Sequence, residues 1–340
     1  MRQGSALDDI VVVDCSATGS ESADGVSRIM CRLLRGAGAH VLRIRPDADR
    51  ARRDATRAES RCRIDRGHGE WTLAQAGERA GLLASADVVL VRGDGPVDAI
   101  DAIADQAVVV VIDEGDLVDD ALPVRSHELV AQAATGTVFE YLPGRAAYTG
   151  FQAATYGAAI NAATAVAAAL VERLTTGRGQ RLRVSMAAGA VAFMAMVWVD
   201  APGTGRDVPG PIPVGADVPS YECADGAYVC ISSSPRCPNS LELLTELLGL
   251  DVDPESLRGT RRVDDLAGYF YNRPVLARGF KRFPSAEIVD RLQRADFAVE
   301  IVRPPAGAWQ TPEVIHSGLL TTCPDCGAEY AGAPIAGIWT

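Results

Sequence analysis

The side chains of this 340-residue sequence that could do chemistry gather in three places. Between residues 43 and 66, Arg43, Arg45, Arg50, Arg52, Arg53, Arg57, Arg61, Arg63 and Arg66 alternate with Asp47, Asp49, Asp54, Glu59 and Asp65. Planar guanidinium forks suit the bidentate capture of phosphate, so this segment is a candidate for a phosphate-bearing ligand; a solvated loop with internally paired charges is the alternative. Cys323-Pro-Asp-Cys326 has the spacing that turns two thiolates toward one metal. A tetrahedral site needs two more ligands, the nearest candidate being His316, and no second such pair exists. The expectation is therefore no metal, with Cys323 and Cys326 kept as a candidate pair in a plain turn. His127-Glu128 sets an imidazole beside a carboxylate. Both are acid/base candidates, and the simpler reading is a helix-start histidine bonded to backbone, followed by a first-turn carboxylate.

Composition bounds what these groups can serve. With 48% hydrophobic and 23% charged residues the chain can bury one large or two ordinary cores. A net charge of −11 argues against broad nucleic-acid binding, which needs a basic face. The first 14 residues are too polar for a signal peptide, and eight scattered cysteines in a chain of this size suggest reduced thiols, so a cytoplasmic location is expected.

The elements that must position these groups begin with Asp9–Asp14, a continuous apolar strand, then a helix over Val26–Leu34 and a strand over His40–Ile44. The connecting loop lacks the glycine spacing of a dinucleotide site and carries Glu21 and Asp24. Helical patterns at 72–84 and 97–105 alternate with strands at 87–91 and 107–112, which predicts a parallel sheet covered on both faces. From Gln152 to Thr175 an Ala-rich helix runs without proline, stops at Gly177, and leads to a strand over 181–186. Its small side chains and Asn161 favour close helix packing over a membrane span. An apolar helix over 187–199 follows, and the Pro/Gly-rich residues 200–211 read as a linker. Beyond it come a hairpin over 220–231 turning at Asp225-Gly226, helices near 240–248, 263–270 and 285–294, a strand at 298–302, and a last helix begun by Thr311-Pro312.

The central segment, in which Ala168-Ala-Leu170, Arg173 and Thr176-Gly-Arg-Gly-Gln180 lead to Val184-Ser-Met186, resembles the signature of the family III (CaiB/BaiF) CoA-transferases, which include the α-methylacyl-CoA racemases. Val11-Val-Val-Asp-Cys-Ser16, Gly36-Ala-Gly-Ala-His-Val-Leu-Arg-Ile44, Ala86-Asp87, Ser126-His-Glu-Leu129 with Gln132-Ala-Ala-Thr-Gly136, Tyr221-Glu-Cys-Ala-Asp-Gly226 and Thr311-Pro-Glu-Val-Ile315 are similar to further family stretches, so the likeness touches nearly the whole chain. It implies an α/β fold with a Rossmann-like large domain over 1–200, a smaller α+β domain over 201–310, and a C-terminal segment, 311–340, returning to the large domain. It also implies an interlocked homodimer, or a heterodimer with an intact homologue. The ligand would be coenzyme A or acyl-CoA, not tightly bound, with a carboxylic acid as acceptor. No membrane or nucleic-acid partner is expected. CoA phosphates would meet Arg43, Arg45, Arg61 and Arg92.

The family's catalytic aspartate attacks the thioester to give an anhydride, then carries CoA as an aspartyl thioester. Its position falls on Thr155, which is expected to pack or hydrogen-bond within its helix, and no carboxylate lies between Glu140 and Glu172. The racemases' histidine matches His127, whereas their glutamate falls near Pro235. The transferases' Gly-rich loop has no counterpart after Ile112, where Asp113-Glu-Gly-Asp-Leu117 stands. Three readings stay open: a CoA-transferase or subunit of one, with His127 or Glu128 as catalytic groups; a non-catalytic CoA-binding or structural subunit; and a racemase-like isomerase.

Overall fold

The structure is a computed structural model that describes residues 6–16, 21–44, 76–93, 103–113, 127–140, 146, 148, 151–194, 220–231, 239–259, 271–318, 320–322 and 329–331. It divides into two compact units. One comprises residues 1–137, 150–194 and 312–340, the other residues 138–149 and 195–311.

The larger unit is built on five strands: β1 (Val11–Asp14), β2 (His40–Arg43), β3 (Val88–Arg92), β4 (Val108–Asp113) and β5 (Arg181–Ser185). They are parallel and lie in the order β2-β1-β3-β4-β5. The unbroken valine runs follow from burial on both faces, because alternate side chains leave for opposite layers. Val12, Val88, Leu90, Val108 and Val110 join one buried cluster, and Val13, Val89, Val91 and Val111 join the other. The first face is covered by α1 (Glu21–Gly36) and α4 (Ala153–Thr176), with α5 (Met186–Met194) packed on α4. The opposite face receives Leu83 of α2 (Ala76–Ser85). A short helix, α3 (Glu128–Ala134), packs against both α4 and α5. The strand order reverses between β1 and β3, and the crevice at the carboxyl ends of such strands is where open α/β sheets take ligands.

The Ala-rich segment is long and apolar enough to cross a membrane, with an 18-residue window of hydropathy 1.5, but half of that window is buried in the protein. It is a core helix. Ala154, Ala158, Ala162 and Val166 recur every four residues and are fully buried, as an inward stripe must be. Small side chains let α5 come close. A Cβ on Gly157 would lie 2.2 Å from the Gly189 carbonyl oxygen, and one on Gly189 would lie 2.2 Å from the Ala158 nitrogen. The helix ends where Gly177 turns left-handed at φ 66° and donates to the Arg173 carbonyl. Arg173 bridges to Asp87 at 2.9 Å and donates to the Gln106 carbonyl, while the other Asp87 oxygen accepts from Val11 N. Gly179 donates to the Asp105 carbonyl, and a Cβ there would sit 2.0 Å from the Ala107 oxygen. The residues of the Arg-x-x-Thr-Gly-Arg-Gly-Gln phrase thus anchor α4 to the amino edge of the sheet.

The smaller unit has an antiparallel sheet, β6 (Ser220–Glu222), β7 (Tyr228–Ile231) and β8 (Val299–Val302), in that order. It packs with α6 (Ser240–Leu247), α7 (Arg273–Phe280) and α8 (Ser285–Arg294). Buried Tyr221 stacks on Phe280 at 5.0 Å between ring centres. The hairpin turns at Asp225-Gly226, with Gly226 at φ 78°. Asp225 then does a second job. Its Oδ2 accepts from the Ser285 backbone N–H (2.9 Å) and hydroxyl (2.8 Å), capping α8, whose own N-cap residue, Pro284, offers no side-chain bond. Helix α7 was not legible in the sequence, nor was the pairing of β9 (Leu320–Thr322) with β10 (Glu329–Ala331). The helices expected at 97–105 and 263–270 and the linker at 200–211 fall mostly or wholly outside the described residues, and helix 187–199 is described as far as Met194.

Two predictions follow from these contacts. Gly157→Ala should lower stability by roughly 1–3 kcal/mol in denaturant titration, because the two backbones must part to admit one methyl group. The Ser285 donors hold the Asp225 carboxyl below the ordinary aspartate range. The folded state therefore binds that proton less readily than the unfolded chain. The stabilisation is present above the ordinary aspartate value and is lost as pH falls through the lowered one. In Asp225→Asn the acid limb of the stability curve should be shallower than in the wild type.

Candidate active site

Helix α4 follows the exposed Gln152 with three buried residues, Ala153, Ala154 and Thr155, whose N–H groups have no intrahelical partners. Its N-cap residue, Gln152, makes no side-chain bond, and no acidic residue lies in its first turn. The need is met from α3. The Glu128 carboxylate reaches the start of α4, where Oε1 accepts from Ala154 N at 2.9 Å and Oε2 from Thr155 N at 2.8 Å. The Thr155 hydroxyl donates to Oε2 at 2.6 Å, and Gln132, one turn on from Glu128, donates to Oε1 at 2.6 Å. The same Gln132 amide donates to the Phe151 carbonyl at 2.9 Å, tying the approach to α4 into the network. Glu128 is 6% exposed, Gln132 is fully buried and Thr155 is 3% exposed. Burying a carboxylate is costly unless it is fully hydrogen-bonded, and this one is: four donors meet the roughly four lone-pair positions of its two oxygens.

His127 precedes this group on the surface. Its backbone is extended, and its Nδ1 accepts from Leu129 N at 3.4 Å, a weak N-cap for α3. The ring thus has the backbone partner of the simpler sequence reading. Glu128 is indeed the first residue of its helix, but its carboxylate serves another one. Thr155 bonds outside its own helix, and its methyl group lies 3.0 Å from where a Cβ on Gly25 of α1 would be. A shelf of rings adjoins it: Phe151 stacks on Tyr156 at 5.3 Å and meets Phe193 edge-on at 6.1 Å, all three substantially exposed.

Arg43 stands at the carboxyl end of β2, and its Nε meets Asp14 Oδ2 at 3.1 Å. Asp14 and Ser16 are fully buried, and Asp14 also accepts from the Ser16 N–H (2.9 Å) and hydroxyl (2.6 Å), while Arg43 reaches Ser27 at 3.4 Å. Part of the Arg43 guanidinium is therefore turned inward on a protein carboxylate. The Cys31 thiol, 3.9 Å from Asp14, is pushed well above its ordinary pKa by burial and by that negative charge, which keeps it protonated and unreactive. Arg92 ends β3, half-buried, beside Gly93. Asp113, at the end of β4, is paired with Arg183. Arg45, Arg61, Pro235, residues 114–117 and the Cys323/Cys326 pair lie outside the described residues. Among the described residues no group of three or more His, Cys, Asp or Glu side chains could hold a metal ion.

The sequence pointed to Glu128 and Thr155 separately. What it did not yield was their bond, nor the part of Gln132, because 27 residues separate Glu128 from Thr155 and no local period links them. The expected energetic signature is testable. Thr155→Val keeps the methyl group against Gly25 and removes one donor to the carboxylate, so it should cost about 1–3 kcal/mol in denaturant titration.

Comparison with known proteins gives a consistent picture. The family model for CoA-transferase family III matches residues 122–337. A CaiB/BaiF family protein from Brucella suis is similar in structure, with a TM-score of 0.72 and 18% sequence identity over 98% of this chain and 93% of that one. So is the hypothetical protein Rv3272 of Mycobacterium tuberculosis, with a TM-score of 0.71 and 20% identity over 98% and 93% of the two chains. At these identities the likeness speaks for the fold. No curated protein sequence matches.

Proposed function

The chain belongs to CoA-transferase family III, and from that premise we propose that it acts on acyl-CoA thioesters as one subunit of a heteromeric CoA-transferase, with the nucleophilic carboxylate supplied by a homologous partner chain. One observation carries this reading. The carboxylate of Glu128 spends its acceptor positions on four internal donors, one of them the hydroxyl of Thr155, the residue on which the sequence resemblance puts the family's aspartate position. Anhydride formation needs a carboxylate oxygen with a free lone pair and a path to the thioester carbon. A threonine hydroxyl would yield an ester instead, and a 6%-exposed glutamate has no such path.

The outward face of α4 supports a partner. Tyr156, Ile160, Val171 and Leu174 are exposed along it, Leu174 to 84%, a run of large apolar groups that a lone soluble chain seldom leaves to water. The CoA phosphates would be met from the basic segment and the end of β3. With part of Arg43 committed to Asp14, the cations proposed for that role are Arg45, Arg61 and Arg92. Cys15, Cys31, Cys223 and Cys230 are free thiols, in keeping with a reducing compartment such as the cytoplasm. The same saturated carboxylate favours, as a second reading, a subunit that binds CoA or supports its partner without taking part in turnover.

The test is to purify the protein alone and together with an aspartate-bearing homologue from the same organism, and to incubate each with acyl-CoA and carboxylic acids. Thioester exchange would be followed by mass spectrometry. Exchange is expected in the mixture only, abolished when the partner's aspartate is replaced by alanine and retained in His127→Ala of this chain. Exchange by this chain alone, lost in His127→Ala, would overturn the proposal. Exchange by the homologue alone at the rate of the mixture would leave the second reading.

A further inference from the structure

We propose that Lys281 is this chain's one side-chain site for acylation by CoA thioesters, and that its ion pair with Glu222 restrains the reaction. Of the 33 basic side chains in the sequence, Lys281 alone is a lysine; the rest are arginines. The difference is chemical. A lysine amine that has shed its proton attacks a thioester carbonyl, whereas a guanidinium stays protonated and delocalised and does not. The basic segment between residues 43 and 66, from which CoA phosphates would be met, contains no lysine at all. Its cations can hold an acyl-CoA without being acylated by it. One residue in the chain remains open to that fate.

Lys281 stands where the reaction is possible. It is the C-cap of α7, and its side chain is 52% exposed. Its Nζ meets Oε1 of Glu222, the last residue of β6, at 2.6 Å. The residues that precede the two partners, Phe280 and Tyr221, are buried and stacked at 5.0 Å, so the core of the smaller unit sets the spacing of the two backbones that carry the bridge. No neighbouring thiol takes the acyl group first and passes it on. Cys223, next to Glu222, is fully buried, and that burial together with the charge of Asp225 pushes its pKa up to about 11.

The thioester is the only co-reactant the step needs. To attack, Nζ must leave the Glu222 carboxylate and give up one proton to solvent. Its lone pair then forms a C–N bond with the thioester carbon, the C–S bond breaks, and sulfur departs with the electron pair and takes up the amine's second proton as CoA thiol. The product is a neutral amide, which ends the ion pair between α7 and β6. Only the premise that the chain meets acyl-CoA is taken from the reading proposed above. The experiment uses free acetyl-CoA, with no partner chain, acceptor acid or turnover, so it can fail while that reading stands, and succeed if that reading falls.

The full chain would be incubated with acetyl-CoA at mildly alkaline pH, treated with neutral hydroxylamine to strip acyl groups from sulfur and oxygen, and mapped over time by peptide mass spectrometry. Stable side-chain acetylation is expected at Lys281 alone and absent from Lys281→Arg, which keeps a cation opposite Glu222. In Glu222→Gln a neutral partner replaces the charged one, and the rate at Lys281 should rise roughly twofold to fivefold, the range that an exposed ion pair supplies. Sodium chloride, which screens the bridge, should raise the rate in the wild type and leave it unchanged in Glu222→Gln, a comparison that needs no altered fold. Absence of a stable adduct at Lys281, a stable side-chain adduct in Lys281→Arg, or a rate in Glu222→Gln that is equal to or below that of the wild type would each overturn the proposal.

Discussion

The larger unit depends on one electrostatic constraint: a 24-residue helix begins with Ala153, Ala154 and Thr155 buried, so their N–H groups need partners within the protein. The free amides at a helix start carry about half a positive charge between them, and left unmet in the interior they would cost several kcal/mol. Glu128 meets them. The interaction is reciprocal, since the carboxylate could not be buried without those donors, nor the helix start without that carboxylate. Gln132 and Thr155 complete the acceptor count and fix where α3 lies on α4. The Phe151 carbonyl, held by the same amide, fixes how the chain enters. The smaller unit solves the same problem in the same way: Asp225, placed by a hairpin turn, caps α8 from 60 residues away. In both units a carboxylate distant in sequence converts a helix start into a tertiary contact.

The other end of α4 is secured by different means. Arg173 spans to Asp87, and the glycines at 177 and 179 allow, respectively, the left-handed stop and the contact with the Ala107 carbonyl. Between the two anchors the packing is set by the absence of side chains rather than by their presence, with Gly157 and Gly189 bringing two backbones together. A helix pinned at both ends and pressed along one face has little freedom to shift. Its N-terminal turn is accordingly a rigid platform, the kind of place where a reacting group can be held in register.

Legibility in the sequence followed the range of the interactions. Strands β1, β3 and β4 are legible from continuous valine runs, and the central helix from its composition and its glycine stop, because period and capping are local signals. The hairpin announced itself through Asp225-Gly226. Helix α7 hid behind Asn272-Arg-Pro274, where an early proline reads as a break although it sits in a first turn. At the site, the types of His127, Glu128 and Thr155 were visible, but the direction of the Glu128 carboxylate was not, since a residue that starts one helix gives no sign that it caps another. Arg43 shows the same limit. Its membership in a basic segment suggested an outward cation, whereas the partner that turns it inward, Asp14, lies 29 residues back and is itself defined only by burial.

The identity of residue 155 and the burial of Glu128 are best understood as one fact. With Oε2 of Glu128 at 2.6 Å, position 155 must present a donor. An aspartate there would set two carboxylates within hydrogen-bond distance, and like charges that close destabilise the ionised pair. In this chain the carboxylate at the first turn of α4 is a cap that reaches in from α3. Thr155 is therefore more than a small residue in a packed turn: its hydroxyl is a donor that the buried carboxylate of Glu128 requires, and that carboxylate in turn holds the helix start closed.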